Sequence, residues 1–384
     1  MKGDFTLLGT VAMAMLVIPA AALLWAGQPL LADSSPDTGI HAPESLPTAG
    51  QGPVRQEASS QAGGQSGGQS GGQSDPVIQS PWGESVWRPE QVYKTPIKDL
   101  KILNQSTGQV ETLSLEQYQL YAMASEMSAE FHLEALKAQG VAALSYALYQ
   151  AEQQRQNPDP DLKGADLAAD PQNRKGYMTE EGARDFYGDQ FEYAWARLNQ
   201  AAAEVRGVVL VHEGQAIAAA YHAISAGLTE SAEEVWGAPL PYLTTADSQW
   251  DILAPGYKST ASFSQEELRG LLKEEGITLP QDPAKWIEVL ERSAAGYVTR
   301  VRVGDREMSG GTLRFLLGLR SADFDLVPSG QQFVFEVRGY GHGAGLSQNG
   351  ADYLGRQGKD YRQILAHYYT GATLARIENL GGTS

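Results

Sequence analysis

The chain is 384 residues long, with 42% hydrophobic and 20% charged residues, the balance of a protein that buries a core. Its 29 basic residues against 46 acidic ones leave a net charge of −17, so it lacks the cation excess by which proteins displace counter-ions from nucleic acid. It has no cysteine, which excludes disulfides, thiol nucleophiles and thiolate metal sites.

Phe5 to Trp25 is an almost unbroken apolar run without charge. As a helix it would reach ~31 Å, enough for a bilayer core. A cleavable signal peptide is the alternative, with Ala20, Ala21 and Ala22 offering small residues at a cleavage site. The length of the run favours an uncleaved transmembrane anchor over residues 1–26. Residues 27–91 follow as a linker rich in Gly, Ser, Gln and Pro, with GGQS three times in tandem from Gly63 to Ser74. Such a composition cannot bury enough apolar surface to order itself. As a flexible tether it reaches ~40 Å.

The folded part is expected over 92–377, with 378–384 as a tail. Lys101–Leu103 and Gln109–Leu113, separated by Ser-Thr-Gly, predict a β-hairpin. Ser114 with Gln117 three places on predicts a capped helix running to about Met127. In the next helix, Leu133 to about Gln154, residues Leu133, Leu136, Gly140, Ala143, Leu144, Ala147 and Leu148 recur at three- and four-residue steps, one stripe on one face. Asn157–Lys175 reads as a long loop, and Thr179–Ala203 as a helix. Val208–His212 and Gln215–Tyr221 read as a hairpin across Glu213-Gly214. A helix capped by Ser264 to Glu274, a strand Tyr297–Val303, a strand Gln332–Gly339 and a helix Asp360–Tyr369 complete the chain. Strands and helices alternate without a strict βαβ period, which predicts an α+β fold of mixed helices and short β-hairpins around a cleft.

Three stretches could carry chemistry. Glu126 sits between apolar neighbours Tyr121, Met123, Met127 and Phe131, surroundings that raise a carboxyl pKa toward the range of a general acid. Taken alone, a Glu near a helix end more often caps or pairs. The second stretch runs from Ala220 to Ser231 and brings His222, Ser225, Thr229 and Glu230 close together after a strand. A Ser/His pair there suggests an acyl-transfer nucleophile, or simply a hydrogen-bonded turn, since spacing alone does not make a triad. The third has glycine at every second position from Gly339 to Gly345 and carries His342, so the backbone there can approach another group closely. No phosphate-loop pattern and no paired-histidine zinc motif occurs. A metal stays open only if His222, His342 and an Asp or Glu meet in space.

Together the three stretches read EM-x(5)-LEALKAQ-x-VAA, H-x-x-S-x-G-x-TE-x(5)-WG and GYGHG-x-G-x-SQ-x-GA, in this order. The chain resembles the stage II sporulation protein D family over about residues 92–377. The resemblance implies a membrane-anchored lytic transglycosylase, a lyase of peptidoglycan. It would cut strands stripped of stem peptides between N-acetylmuramic acid and N-acetylglucosamine, leaving 1,6-anhydro ends. It also implies work during forespore engulfment with stage II sporulation proteins P and M, from a single-pass anchor with the catalytic domain outside the mother-cell cytoplasm, facing the wall. The family's catalytic acid is the Glu of the EM pair, here Glu126. Lys137, His222, Ser225, Tyr340, His342, Ser347 and Gln348 are then candidates for holding the glycan. No cofactor is expected. Some relatives bind zinc through a Cys and histidines, and this chain has no Cys. A second reading is a non-catalytic glycan-binding module that recruits or stimulates a wall amidase. Leu144 stands where the family usually carries Arg, which favours weaker glycan binding that Leu144→Arg would restore.

Overall fold

The computed structural model describes residues 91–329 and 332–378. The expected anchor, the GGQS linker and most of the tail lie outside the described residues. Among the described residues no helix is long and apolar enough to cross a membrane.

The chain forms a mixed α+β structure with two units, each with its own core. In the outer unit, β1 (Val92–Tyr93), β2 (Asp99–Asn104) and β3 (Val110–Ser114) lead into α1 (Leu115–Glu126) and α2 (Leu133–Gln156). Ser114 and Gln117 form the expected capping box. β4 (Leu167–Ala169) pairs parallel with β2 inside the stretch expected to be a loop, so that stretch is partly ordered by a neighbour distant in sequence. The helix expected over 179–203 is two, α3 (Glu180–Tyr187) and α4 (Phe191–Glu204). Gly188 breaks it, at φ +51° and ψ −125°, a conformation that residues with a Cβ avoid.

β5 (Val208–His212) turns through Glu213-Gly214 into β6 (Gln215–Ala216), which is shorter than expected. Its continuation, β7 (Tyr221–His222), leaves the hairpin and later pairs parallel with β14 (Leu346–Ser347). A short helix, α5 (Ala232–Trp236), follows, capped by Ser231, whose side chain accepts the Glu234 N–H.

The inserted unit contains β8 (Lys258–Ser264), α6 (Gln265–Glu274), β9 (Ile287–Arg292), β10 (Val298–Val303), β11 (Arg306–Met308), α7 (Gly310–Leu317), β12 (Asp323–Ser329) and β13 (Gln332–Arg338). Two antiparallel three-stranded sheets, ordered β12-β13-β8 and β11-β10-β9, enclose its core. In β13 the alternate residues Phe333, Phe335 and Val337 are buried, the period-two pattern of a half-buried strand. They join Trp286, Phe324, Leu268, Leu272 and Leu313. The chain then returns to the outer unit through α8 (Gln348–Arg356), α9 (Tyr361–Tyr368) and β15 (Thr373–Ile377).

β15 sits between β1 and β5 in a four-stranded sheet, so the last strand completes a sheet begun by the first. α2 is the centre of the outer unit, packed against α1, α4, α8, α9 and β5. Its first half feeds one core cluster through Leu136, Ala138 and Val141. Its second half feeds another through Leu144, Ala147 and Leu148. At Gly140 a Cβ would come within 2.5 Å of the Met123 side chain, so the small stripe lets α1 and α2 approach closely.

Candidate active site around Glu126

Glu126 is the last residue of α1, and Met127 caps the helix by donating its N–H to the Met123 carbonyl at 3.1 Å. The rigid turn fixes where the carboxyl points. The residue is only 7% exposed. Burial pushes its pKa from the ordinary 4.5 up to about 7, and a hydrogen bond from Gln348 partly offsets this. Its Oε2 is buried without a protein partner. Near it lie the phenols of Tyr118 and Tyr221, whose ionisation burial and the Glu126 charge both oppose.

Gln348 is brought to Glu126 by the β7–β14 pair. His222 faces Ser347 across that pair, and Gln348 is the first residue of α8. Its amide also donates to Gln139 Oε1 of α2 at 3.3 Å. Ser347 caps α8 by accepting from the Gly350 N–H at 3.2 Å and donates to Asp251 Oδ2 at 2.6 Å. The same Asp251 oxygen accepts the Ser225 N–H at 2.7 Å and the Ser248 hydroxyl at 3.2 Å. Asp251 is 1% exposed, and burial lifts its carboxyl to about 6 against these donors. It fastens the second motif to the third, and the sequence reading missed it, because a lone Asp in a turn-rich stretch carries no pattern.

The alternating glycines let the third motif lie along the second. Ile224 and Tyr340 exchange backbone hydrogen bonds at 3.1 and 2.7 Å. A Cβ at Gly341 would meet His222 Cβ at 2.6 Å, and one at Gly345 would meet the Ala220 carbonyl oxygen at 2.0 Å. The close approach expected of this loop is therefore made to its own chain. His222 and His342 meet with ring centroids 5.8 Å apart, and Trp236 covers His342 at 5.2 Å.

The two rings take opposite tautomers, set by Ala344. His222 Nδ1 lies 3.1 Å from the Ala344 carbonyl and so carries the proton, leaving Nε2 as a buried acceptor without a partner. His342 Nδ1 accepts the Ala344 N–H at 3.1 Å, which puts its proton on Nε2. Burial holds His222 at about 4 and His342 well below the usual range, with the Arg314 charge adding to both. Both rings are neutral at pH 7. Among the described residues no group of three His, Asp or Glu side chains is placed to hold a metal ion.

Of the residues expected at the site, Glu126, His222, Ser225, Tyr340, His342, Ser347 and Gln348 converge on the β7–β14 pair and the glycine loop. Lys137 does not join them. It is ion-paired with Glu134 at 2.6 Å and with Glu204. It also lies about 200° around the helix from Gln139, which faces Gln348. Ser225 and His222 form no nucleophilic pair either, since the serine is tied to Asp251 and Gly227 and the ring to Ala344. Leu144 is 0% exposed in the core beside Tyr118, so an Arg there would bury its charge.

The family profile described as "Stage II sporulation protein" matches residues 103–212. A protein named Stage II sporulation protein D from Bacillus amyloliquefaciens is 32% identical over 76% of this chain and 82% of its own length. Its namesake from Bacillus subtilis (strain 168) is 30% identical over 75% of this chain and 82% of its own length. A Bacillus subtilis protein named Amidase enhancer is 26% identical over 65% of this chain and 39% of its own length. The fold and the buried carboxyl thus belong to a sporulation protein. More narrowly, the chain belongs to the stage II sporulation protein D family.

Proposed function

We propose that this protein is a peptidoglycan lytic transglycosylase with Glu126 as its single acid and base. The observation that carries the reading is the Glu126 carboxyl, buried and pushed up to about 7, with one oxygen held by Gln348 and the other unpartnered. A carboxyl near pH 7 is protonated often enough to give up its proton and basic enough to take one back. It would protonate the glycosidic oxygen as the bond to C1 of N-acetylmuramic acid breaks. The substrate's own N-acetyl group would stabilise the developing cation. The ionised Glu126 would then take the proton of the 6-hydroxyl as that oxygen attacks C1. The attack is intramolecular, so it carries a small entropic cost and needs no second carboxylate. Tyr340, His342 and Gln348 would position the sugar, while the fully buried His222, Ser225 and Ser347 would hold the loops that carry them. No step calls on a metal or cofactor.

This reading carries the organisation inferred from the sequence. Residues 1–26 would anchor the protein in the cell membrane, 27–91 would tether it, and 92–377 would work on denuded glycan outside the mother-cell cytoplasm during engulfment, beside stage II sporulation proteins P and M. A second reading is favoured by the relative named Amidase enhancer. In it the same site binds glycan without cutting it and stimulates a wall amidase. One assay separates the two. The full-length chain incubated with denuded glycan should release anhydromuramyl products, seen by mass spectrometry, and Glu126→Gln should release none. Equal product from both would remove Glu126 from the mechanism. Glycan capture by both without product would favour the second reading.

A further inference from the structure

In a chain of net charge −17, the inserted unit places two cations against the site without a counter-ion. Arg314, on α7, is 8% exposed. Its Nε donates to the Arg320 carbonyl at 3.1 Å, and its Nη2 is buried with no acceptor. That carbonyl also accepts the Gly341 N–H at 2.9 Å, so the guanidinium sits directly behind the loop that carries His342. Arg320 stacks over the Tyr340 ring at 4.1 Å, and its Nε is likewise buried and unpartnered. Among the described residues no carboxylate is ion-paired with either arginine. The other buried carboxyls nearby are engaged elsewhere: Asp323 with Arg338 and Arg292, Asp251 with three serines, and Glu230, whose backbone pairs with the glycine loop, with the Ser293 hydroxyl.

A buried guanidinium with an open donor is costly to the fold, because its desolvation is not repaid by an opposite charge. Burial lowers the Arg314 pKa to about 10, and only the phenols of Tyr340 and Tyr297 favour its charge. Two neutral histidines beside it leave its charge uncancelled. Such a planar fork suits a carboxylate, which accepts two parallel hydrogen bonds.

We propose that Arg314 is the seat of an anion-binding subsite whose ligand is the free lactyl carboxylate of a muramic acid residue. The inference rests on the glycan reading given above. It supplies a physical basis for choosing denuded strands. A lactyl group still joined to its stem peptide is a neutral amide and offers Arg314 no charge. Removal of the peptide by amide hydrolysis creates the anion that the site is short of.

The test compares two forms of one denuded oligosaccharide, with free lactyl carboxylates and with the same groups converted to primary amides. Binding to the full-length chain is measured by calorimetry. Wild type should bind the acid about 10- to 100-fold more tightly than the amide. Arg314→Met should bind both alike, and Arg314→Lys should retain part of the preference. Equal binding of both forms by wild type, or an undiminished preference in Arg314→Met, overturns the subsite while leaving the glycan reading intact. Binding of neither form by wild type overturns the glycan reading itself. If Arg314→Met does not fold, the wild-type comparison still decides.

Discussion

Glu126 keeps its proton because the fold surrounds it with tyrosines and aliphatic groups and gives it one donor, Gln348. That arrangement makes the group a cost to stability wherever it must ionise. Its folded pKa of about 7 lies above the ordinary 4.5, so the folded state holds the proton more tightly. Below the unfolded pKa the group is neutral in both states. As pH rises from about 4.5 to about 7, stability is lost by roughly 3 kcal/mol. Glu126→Gln, which cannot ionise, should therefore be more stable than wild type at pH 8 by about that amount and gain little at pH 4, as read by urea denaturation. An equal effect at both pH values would mean that the Glu126 pKa is the same in the folded and unfolded states, so that burial does not raise it. His222 acts in the opposite sense over much of the same range. Its folded pKa of about 4 lies below its ordinary value, so its neutral burial favours folding above pH 6.5 and is lost as pH falls.

At the scale of elements, the glycine loop and the capped helices were plain in the sequence because their causes are local. Ser114 with Gln117 and Ser264 with Glu267 set helix starts by bonds within four residues, and both capping boxes are present. β8, β9 and β12 were not legible, and neither was α7. Lys258–Ser264 carries Lys, Ser and Thr and is a strand because β13 pairs along its whole length. Its pattern is set by a partner some 70 residues on, which no local rule reports. The same holds for β7, whose two residues leave one hairpin to meet β14 across the site. Glu126 and His342 could be singled out from their neighbours in sequence. Asp251 and Arg314 matter through what they touch, and a sequence does not display that. The glycines could be tested directly. Gly345 has φ +72°, and a Cβ there would meet the Ala220 carbonyl oxygen at 2.0 Å. Gly345→Ala should destabilise the protein by about 2 kcal/mol or more, seen as a lower denaturation midpoint, whereas Gly214→Ala, with nothing within 4 Å, should cost less. Equal effects would mean that the loop has room to shift.

The whole molecule is an outer unit whose chain is interrupted by a smaller one. The interruption starts and ends at one point, since the Gly339 N–H donates to the Tyr257 carbonyl at 2.8 Å. The Glu126 carboxyl belongs to the outer unit and the proposed anion site to the inserted one. The glycine loop is the segment where they meet. The proposed function therefore depends on how the two units are held together, and Asp251, which ties Ser225 to Ser347, stands close to that junction.

The position of β15 has a consequence for the order in which the chain matures. Most strand pairs of the inserted unit, β9 with β10, β10 with β11 and β12 with β13, join neighbours in sequence, so they close short loops and can form early, and β8 is added once β13 is in place. The outer sheet waits for residues 373–377, because they run between β1 and β5. The middle of the chain can thus settle before either end has a partner, and the frame around α2 is finished last. A chain ending at Thr370 should keep slow amide exchange in 258–338 and lose it in α2. Protection of α2 in that truncated chain would show that the outer unit closes without its final strand. A nascent or clipped molecule would then carry an ordered insert on an unfinished frame.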